Sequence, residues 1–133
     1  MLVVAVALQR DDGRSLMHRR PFGKQHGGLW EFPGGKVEPG ETPVNALVRE
    51  VQEELAIDID CADLLPAGFA QSVDREGSAP IVILLYTCAR WRGEPVAVEG
   101  GAVDWFTPSE IARLERPPLD IVLAEGLLRN HRE

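Results

Sequence analysis

The chain has 133 residues, a length that favours a single domain spanning residues 1–133. Its hydrophobic fraction of 44% and charged fraction of 26% are typical of a soluble globular protein with a packed core, and no apolar run reaches membrane length. A net charge of −7 argues against nonspecific binding to a nucleic-acid polymer or to an anionic membrane.

An apolar strand begins the chain. Residues 2–8 are apolar throughout, which predicts a central strand that is buried on both faces. The Asp-Asp-Gly run at 11–13 indicates a turn, and residues 15–19 are expected to return as the hairpin partner of the first strand. Arg20 follows, either as a solvated strand end or as a phosphate contact, because arginine offers a planar fork of donors.

A glycine-rich segment leads to the middle of the chain. Residues 21–28 contain three glycines and one proline, which excludes a helix or a central strand. The short apolar stretch 29–32 then leads into Gly34 and Gly35, which permit positive φ and close approach of the backbone to a bound group. Lys36 follows, either exposed or within reach of a phosphate. We therefore expect a glycine loop that faces a ligand.

The best-defined helix follows this loop. Thr42 is placed to cap it, and Pro43 suits the first helical position. Apolar residues then recur at helical spacing and predict one buried stripe: Val44, Leu47, Val48, Val51 and Leu55.

The opposite side of this helix is acidic. Glu50, Glu53 and Glu54 are spaced i, i+3, i+4, so their carboxylates share one arc of the helix. Like charges at this spacing repel, whereas a hard divalent cation between them turns repulsion into attraction. Carboxylate oxygens are the ligands that Mg²⁺ and Mn²⁺ prefer. The pattern is therefore either a solvated acidic face or a metal site.

Further strands are predicted after the helix. Alternation within residues 57–65 indicates a half-buried strand, another strand starts within 66–73, and residues 75–78 indicate a turn. Residues 81–89 are β-branched, apolar and continuous, so they are expected inside the sheet. Strands on both sides of a helix favour an α+β fold with a mixed sheet.

The two cysteines, Cys61 and Cys88, are too few for a disulfide framework or a zinc site. Both adjoin apolar segments, which predicts buried free thiols. Such thiols suit a reducing compartment. We therefore expect a cytoplasmic protein, and we expect a monomer or a weak homodimer.

The last third of the chain contains shorter elements. Residues 94–101 predict a loop that carries Glu99, and residues 104–114 predict a short strand followed by a helix. The proline pair at 117–118 opens the last helix, whose first turn holds Asp120.

The central segment also resembles the Nudix box, G-x5-E-x7-R-E-U-x-E-E-x-G-U, where U is a bulky aliphatic residue. Residues 35–57 match every defined position, from Gly35 and Glu41 through Arg49, except that Ala56 stands where the family has its last glycine. The flanking run L-W-E-F-P-G-G-K-V-E-P-G-E-T is similar to the MutT-type branch, which acts on nucleoside triphosphates. The family glycine is expected to end the helix in a left-handed conformation, where alanine costs roughly 1–2 kcal/mol.

The resemblance implies a Nudix-type α/β/α sandwich with a mixed β-sheet between helices. It also implies Mg²⁺ or Mn²⁺ bound by glutamates and glycine carbonyls: Gly34, Gly35, Glu50, Glu53, Glu54 and Glu99. Arg49 would orient a glutamate in the catalytic group, which comprises Arg49, Glu50, Glu53, Glu54 and Glu99. Glu50 is the first choice for the base that accepts a proton, and Glu99 is the second.

Three residues occupy positions that resemble substrate contacts. Arg20 and Lys36 would bind phosphates, and Asp120 would face the base, where MutT-type proteins place Asn or Asp after the proline pair. A carboxyl or amide can hydrogen-bond a purine edge. The simpler interpretation of Asp120 is a first-turn acid favoured by the helix dipole.

The implied reaction is metal-dependent hydrolysis of a nucleoside triphosphate to the monophosphate and pyrophosphate. The leading substrate is 8-oxo-dGTP, whose removal from the nucleotide pool prevents mutation during DNA replication and so assists DNA repair. One alternative is a pyrimidine triphosphate such as CTP or a modified dCTP. Another is a non-catalytic nucleotide sensor, which would be expected to lack some of the box carboxylates.

Overall fold

The computed structural model describes residues 1–72, 77 and 79–131. The strands in these ranges are β1 (Leu2–Leu8), β2 (Ser15–Arg19), β3 (Trp30–Glu31), β4 (Gly34–Lys36), β5 (Leu65–Gln71), β6 (Val82–Cys88) and β7 (Ala102–Phe106). The helices are α1 (Pro43–Leu55), α2 (Pro108–Ile111) and α3 (Pro118–His131). Within these ranges, no helix is long and apolar enough to cross a bilayer.

A mixed four-stranded sheet forms the centre of the fold, with strand order β4-β1-β6-β5. Strand β1 runs parallel to β6 and antiparallel to β4, and β5 is antiparallel to β6. A second, antiparallel sheet has the order β3-β2-β7. The predicted central position of β1 is confirmed, because this strand is paired along both edges.

Strand β1 is buried on both faces because a helix covers each side of its sheet. One cluster joins this strand to α1 and includes the side chains of Val4, Val6, Leu8, Leu47, Val51 and Leu55. The cluster on the other face joins it to α3 and includes Ala5, Ala7, Leu85, Leu123, Ala124 and Leu127. The expected α/β/α sandwich with a mixed sheet is therefore confirmed.

The pairing of β2 differs from the expected hairpin. The turn at 11–13 is present, with Gly13 N–H donating to the Arg10 carbonyl. The two arms pair next to this turn, through the Gln9–Ser15 bridge and the hydrogen bond from Arg10 N–H to the Arg14 carbonyl. Strand β2 then pairs with β3 and β7. The physical reason is that β4 and β6 already occupy both edges of β1.

The expected glycine loop is instead a strand. In β4, Gly34 pairs with Ala5 and Gly35 pairs with Val4, and neither glycine has a positive φ. A Cβ on Gly34 would collide with the Val4 carbonyl oxygen. The missing side chain therefore permits close approach to the neighbouring strand.

Helix α1 begins as predicted. The Thr42 hydroxyl accepts a hydrogen bond from the Asn45 N–H at 3.3 Å, and Pro43 is the first helical residue. The helix ends at Ala56 in a left-handed conformation, with φ 59° and ψ 35°. The alanine thus keeps the backbone conformation expected for the family glycine.

Replacing Ala56 with glycine is expected to raise the free energy of unfolding by about 1 kcal/mol, because glycine removes the Cβ strain of left-handed backbone. Ala112 provides a matched control, since this helix-capping alanine has right-handed φ −61° and ψ −20°. Ala112→Gly should leave stability unchanged or lower it. Urea unfolding measures the free energy of unfolding of both variants. An increase in both, or a decrease in both, would contradict this explanation.

The segment after α1 is not the predicted half-buried strand. Asp58 makes a single bridge to Arg92, and residues Cys61–Asp63 form one 3₁₀ turn. This turn leaves Cys61 exposed, so its predicted burial is wrong, whereas Cys88 is buried as expected and both thiols are free. Local alternation predicted a strand here, but among residues 57–64, all of which the structure describes, Asp58 alone forms a β-bridge.

The remaining elements follow the sequence closely. Strands β5 and β6 confirm the predictions for residues 66–73 and 81–89, and the loop at 94–101 lacks helix or strand. Helix α2 is shorter than predicted, since it ends at Ile111 rather than Leu114. The predicted turn at 75–78 lies outside the described residues except for position 77.

Candidate active site

Arg49 ties the acidic side of α1 to the segment before the helix. Its guanidinium donates to both carboxylate oxygens of Glu41, at 2.8 Å each. It also donates to Glu50 Oε1 at 2.9 Å, to Glu53 Oε2 at 3.3 Å and to the Lys36 carbonyl at 3.1 Å. The planar fork of arginine suits such multiple acceptors. Arg49 therefore contacts Glu50 and Glu53, two of the glutamates in the expected catalytic group.

These contacts separate the pKa values of two glutamates. Hydrogen bonds from Arg49 lower the pKa of Glu41 to about 2. Burial raises the pKa of Glu50, although Arg49 opposes this shift. Glu41 is thus a charged partner for Arg49 near neutral pH, whereas Glu50 is the stronger proton acceptor of the two.

A cavity of about 150 Å³ lies beside α1. Its acidic lining residues come from β3, from α1 and from the loop before β7: Glu31, Glu50, Glu54 and Glu99. Two cations, Arg20 and Lys24, also line it, together with His18 and Gly34. Four carboxylates against two cations leave an excess of negative charge, which favours binding of a cation.

Glu54 and His18 form the most buried part of this lining, with side chains 13% and 6% exposed. Glu54 Oε1 lies 3.5 Å from His18 Nδ1, and Glu31 Oε1 lies 3.8 Å from the same nitrogen. Burial raises the pKa of Glu54 to about 7, helped by neighbouring carboxylates and opposed by His18. Burial alone would lower the pKa of His18, but Glu31 and Glu54 outweigh it and raise that pKa.

Both cations of the cavity lining belong to the loop that follows β2. Arg20 is fixed by two contacts, because Nε donates to the Gln25 carbonyl at 2.8 Å and Nη1 donates to Glu31 Oε1 at 3.1 Å. Lys24 is exposed in the same loop. Lys36 is exposed on β4 and lies outside the cavity lining. The glycine-rich loop therefore provides the second cation of the cavity.

Asp120 is buried at the start of α3, outside the cavity lining. It is 5% exposed, and its Oδ2 accepts a hydrogen bond from the Phe32 N–H at 2.9 Å. Burial raises the pKa of Asp120 to about 7, whereas the bond from Phe32 opposes this shift. Asp120 thus connects α3 to the segment between β3 and β4.

The raised pKa of Asp120 makes stability depend on pH. The native carboxyl binds its proton more tightly than the unfolded one, whose pKa is 3.8, so its contribution to stability falls as pH rises between about 4 and 7. Asp120→Asn keeps an oxygen for the Phe32 N–H and removes the buried charge. We expect the stability of this variant relative to wild type to grow by about 2 kcal/mol from pH 5 to pH 8.

Chemical unfolding of both proteins at the two pH values measures this difference. Subtracting wild type cancels other titrating groups, Glu54 among them. If the stability difference between Asp120→Asn and wild type stayed constant with pH, the pKa of Asp120 would be the same in the folded and unfolded states.

The cavity brings together five of the residues that the sequence suggested: Arg20, Gly34, Glu50, Glu54 and Glu99. Five others lie outside its lining, among them Arg49, whose contact with Glu50 is given above. Glu53 has a side chain that is 53% exposed, and Gly35 lies against the Glu50 carboxylate. Lys36 and Asp120 are placed as described above.

Sequence reasoning missed His18, Lys24 and Glu31. A signal for His18 was present, because alternate residues of a strand share a face and His18 follows Leu16 at that spacing. Leu16 is fully buried, and His18 is 5% exposed. Lys24 lies in a loop without periodicity, so no local pattern marks it.

Comparison with known proteins identifies the family of the chain. The family model described as NUDIX domain matches residues 1–126. A CTP pyrophosphohydrolase from Escherichia coli (strain K12) is 36% identical over 129 residues, covering 96% of this chain and 92% of that protein. An 8-oxo-dGTP diphosphatase from the same strain is 33% identical over 118 residues, covering 88% of each.

A solved structure gives the same result. The crystal structure of a MutT NUDIX hydrolase from Burkholderia pseudomallei has a TM-score of 0.82 and 26% identity, covering 95% of this chain and 96% of that one. The acidic helix, the cavity and these similarities lead to one conclusion: the chain belongs to the Nudix hydrolase family.

Proposed function

We propose that the chain hydrolyses a nucleoside triphosphate to the monophosphate and pyrophosphate, with 8-oxo-dGTP as the leading substrate. The observation that carries this proposal is the convergence of Glu50, Glu54 and Glu99 with Arg20 and Lys24 on one cavity. A polyanion needs such neighbouring cations, and its hydrolysis needs a proton acceptor. The biological role would be to remove oxidised nucleotides before DNA replication incorporates them.

A divalent metal suits the donors of this cavity. Nudix hydrolases generally use one, and carboxylate and carbonyl oxygens are the ligands of Mg²⁺ and Mn²⁺. Glu50, Glu54 and Glu99 would hold it with the Gly34 carbonyl, and the excess of acidic groups supports this fit. Glu53 and Gly35 beside the cavity remain proposed ligands. When bound, the metal would acidify a water molecule and offset phosphate charge.

The protein's own groups then have separate tasks. Glu50 would accept the proton of the attacking water, since its raised pKa makes it a stronger acceptor, and Glu99 is the second choice. Arg49 would act as a positioning residue, because it holds Glu50 Oε1 at 2.9 Å. Arg20 and Lys24 would stabilise charge on the phosphates. Lys36 remains a proposed phosphate contact from β4.

The remaining group of the substrate to be recognised is its nucleobase. Asp120 would recognise it, and a carboxyl with a pKa of about 7 can either accept or donate a hydrogen bond near neutral pH. This property is compatible with a purine edge and with cytosine. CTP or a modified dCTP is therefore the second candidate substrate, favoured by the 36% identical relative named CTP pyrophosphohydrolase.

Turnover of a substrate panel tests the proposal. The panel contains dGTP, 8-oxo-dGTP, dCTP, CTP, ADP-ribose and a dinucleoside polyphosphate, with Mg²⁺ present or chelated and with pyrophosphate and orthophosphate measured separately. We expect metal-dependent release of pyrophosphate, with kcat/KM highest for 8-oxo-dGTP.

Two other results would change the conclusion. The highest kcat/KM for CTP or dCTP would keep the reaction and replace the substrate. Release of orthophosphate in place of pyrophosphate, or binding of nucleotide without turnover, would contradict the proposed reaction.

A further inference from the structure

The histidine in the cavity has an unusual environment. His18 is 5% exposed, and its Nδ1 has no hydrogen-bond partner among the residues that the structure describes. Glu54 lies 3.5 Å from this nitrogen, at the limit of hydrogen-bond distance. Glu31 lies 3.8 Å from it, beyond that distance. A buried polar atom without a hydrogen bond is rare, and one beside two carboxylates is a candidate ligand for a bound ion.

The contact made by the other ring nitrogen shows whether Nδ1 of the neutral ring carries a hydrogen or a lone pair. His18 Nε2 lies 3.1 Å from the Gly100 carbonyl oxygen, which can only accept a hydrogen bond. Nε2 therefore carries the hydrogen, and in the neutral ring Nδ1 presents its lone pair. This lone pair and two carboxylate oxygens converge on one place. A positive charge between these three atoms would stabilise them, and either a proton on Nδ1 or a bound metal ion can supply it.

We propose that His18 Nδ1, Glu54 and Glu31 bind a divalent transition metal, so that this Nudix site prefers Mn²⁺, Co²⁺ or Zn²⁺ to Mg²⁺. The three donor atoms lie within 4.8 Å of one another. Two atoms that each bind one ion at about 2.1 Å lie about 3–3.5 Å from each other. Small side-chain movements would therefore bring all three ligand atoms to binding distance. Imidazole nitrogen favours such metals, whereas Mg²⁺ favours oxygen ligands alone. The proposal extends the metal-dependent function above, but it concerns which metal binds.

The hydrogen bond to Gly100 strengthens this assignment. A histidine that binds a metal through one nitrogen usually donates its other N–H to a carbonyl or carboxylate, which fixes the ring orientation and its tautomer. Gly100 provides this carbonyl beside Glu99, on the loop before β7. Arg20 already holds Glu31 Oε1 at 3.1 Å, so Glu31 is shared between this cation and the proposed metal.

Pulsed electron paramagnetic resonance of bound Mn²⁺ tests the proposal without relying on turnover. We expect nitrogen modulation from imidazole in the wild-type spectrum, with its frequencies changed when the protein contains [¹⁵N]histidine. His18→Gln should abolish the modulation, whereas His26→Gln, in the exposed loop after β2, should retain it. The labelled wild-type spectrum answers the question of histidine coordination even if His18→Gln fails to fold.

Metal titration provides a second measurement. The ratio of Mn²⁺ to Mg²⁺ affinity should fall at least about 10-fold in His18→Gln and remain unchanged in His26→Gln. Mn²⁺ binding without histidine modulation, or an unchanged ratio in His18→Gln, would overturn the proposal and would indicate a proton on Nδ1 between the carboxylates. Pyrophosphate release by wild type would persist in that case, so failure of this inference is distinguishable from failure of the proposed function.

Discussion

Replacing Glu54 with glutamine is expected to lower kcat/KM for nucleoside triphosphate hydrolysis at least about 100-fold, or about 2.7 kcal/mol of barrier. Glu54 has the least exposed carboxylate in the cavity lining, and its charge lies beside His18 and the other acidic groups. Glutamine preserves the size of the side chain but loses the charge that would hold a cation. Steady-state hydrolysis of the preferred substrate measures the effect.

The control for this change is Glu94→Gln, since Glu94 is exposed in the loop after β6 and lies outside the cavity lining. Its kcat/KM should match that of wild type. The unfolding free energy of Glu54→Gln should not fall at pH 8, because burial disfavours the charged carboxylate that the substitution removes. Turnover within about threefold of wild type would remove Glu54 from the proposed metal site.

Alanine at the two adjacent glycines of β4 is expected to have different effects, a loss of stability at Gly34 and a loss of activity at Gly35. A Cβ at Gly34 would collide with the backbone carbonyl of Val4 in the central sheet, and backbone there moves only if the pairing of β1 with β4 is broken. Gly34→Ala should therefore lower the free energy of unfolding by at least about 3 kcal/mol. A Cβ at Gly35 would instead collide with the carboxylate of Glu50, which is the end of a rotatable side chain.

Gly35→Ala should therefore fold but lose about 100-fold in kcat/KM, because a displacement of about 1 Å in a catalytic group can cost that much. Gly126→Ala is the control, since its Cβ would meet no atom within 4 Å and alanine favours the helix. Urea unfolding and hydrolysis assays on all three variants measure both effects. Equal losses of stability at the two β4 positions would contradict the distinction.

Local sequence patterns were enough to predict helix α1 and strands β1 and β6. Helix α1 has a cap at Thr42, a proline at its first position and apolar residues at helical spacing. Strands β1 and β6 are continuous apolar runs, which indicate burial on both faces. The acidic arc of α1 combined with the box spacing was enough to indicate the family.

The features that depend on distant partners could not be predicted in this way. Gly34 and Gly35 have no side chain whose pattern marks a strand, and β4 exists because β1 lies beside it. Residues 57–65 alternate like a strand, yet before β5 begins at Leu65 only Asp58 makes a bridge. The cavity unites β2, β3, β4, α1 and two loops, so no local pattern shows that His18 and Lys24 share its lining.

The parallel pairing of β1 with β6 also has a consequence for how the protein forms during synthesis. Leu2 is in register with Val82, so the first strand made meets its parallel neighbour 80 residues later. At about 5–20 residues per second, a ribosome takes about 4–16 s to make that interval. Throughout this time the apolar strand at the N-terminal side lacks its partner on one edge. Non-local pairing of this kind slows folding and leaves unpaired edges open to aggregation, so the nascent chain is most vulnerable before β6 emerges.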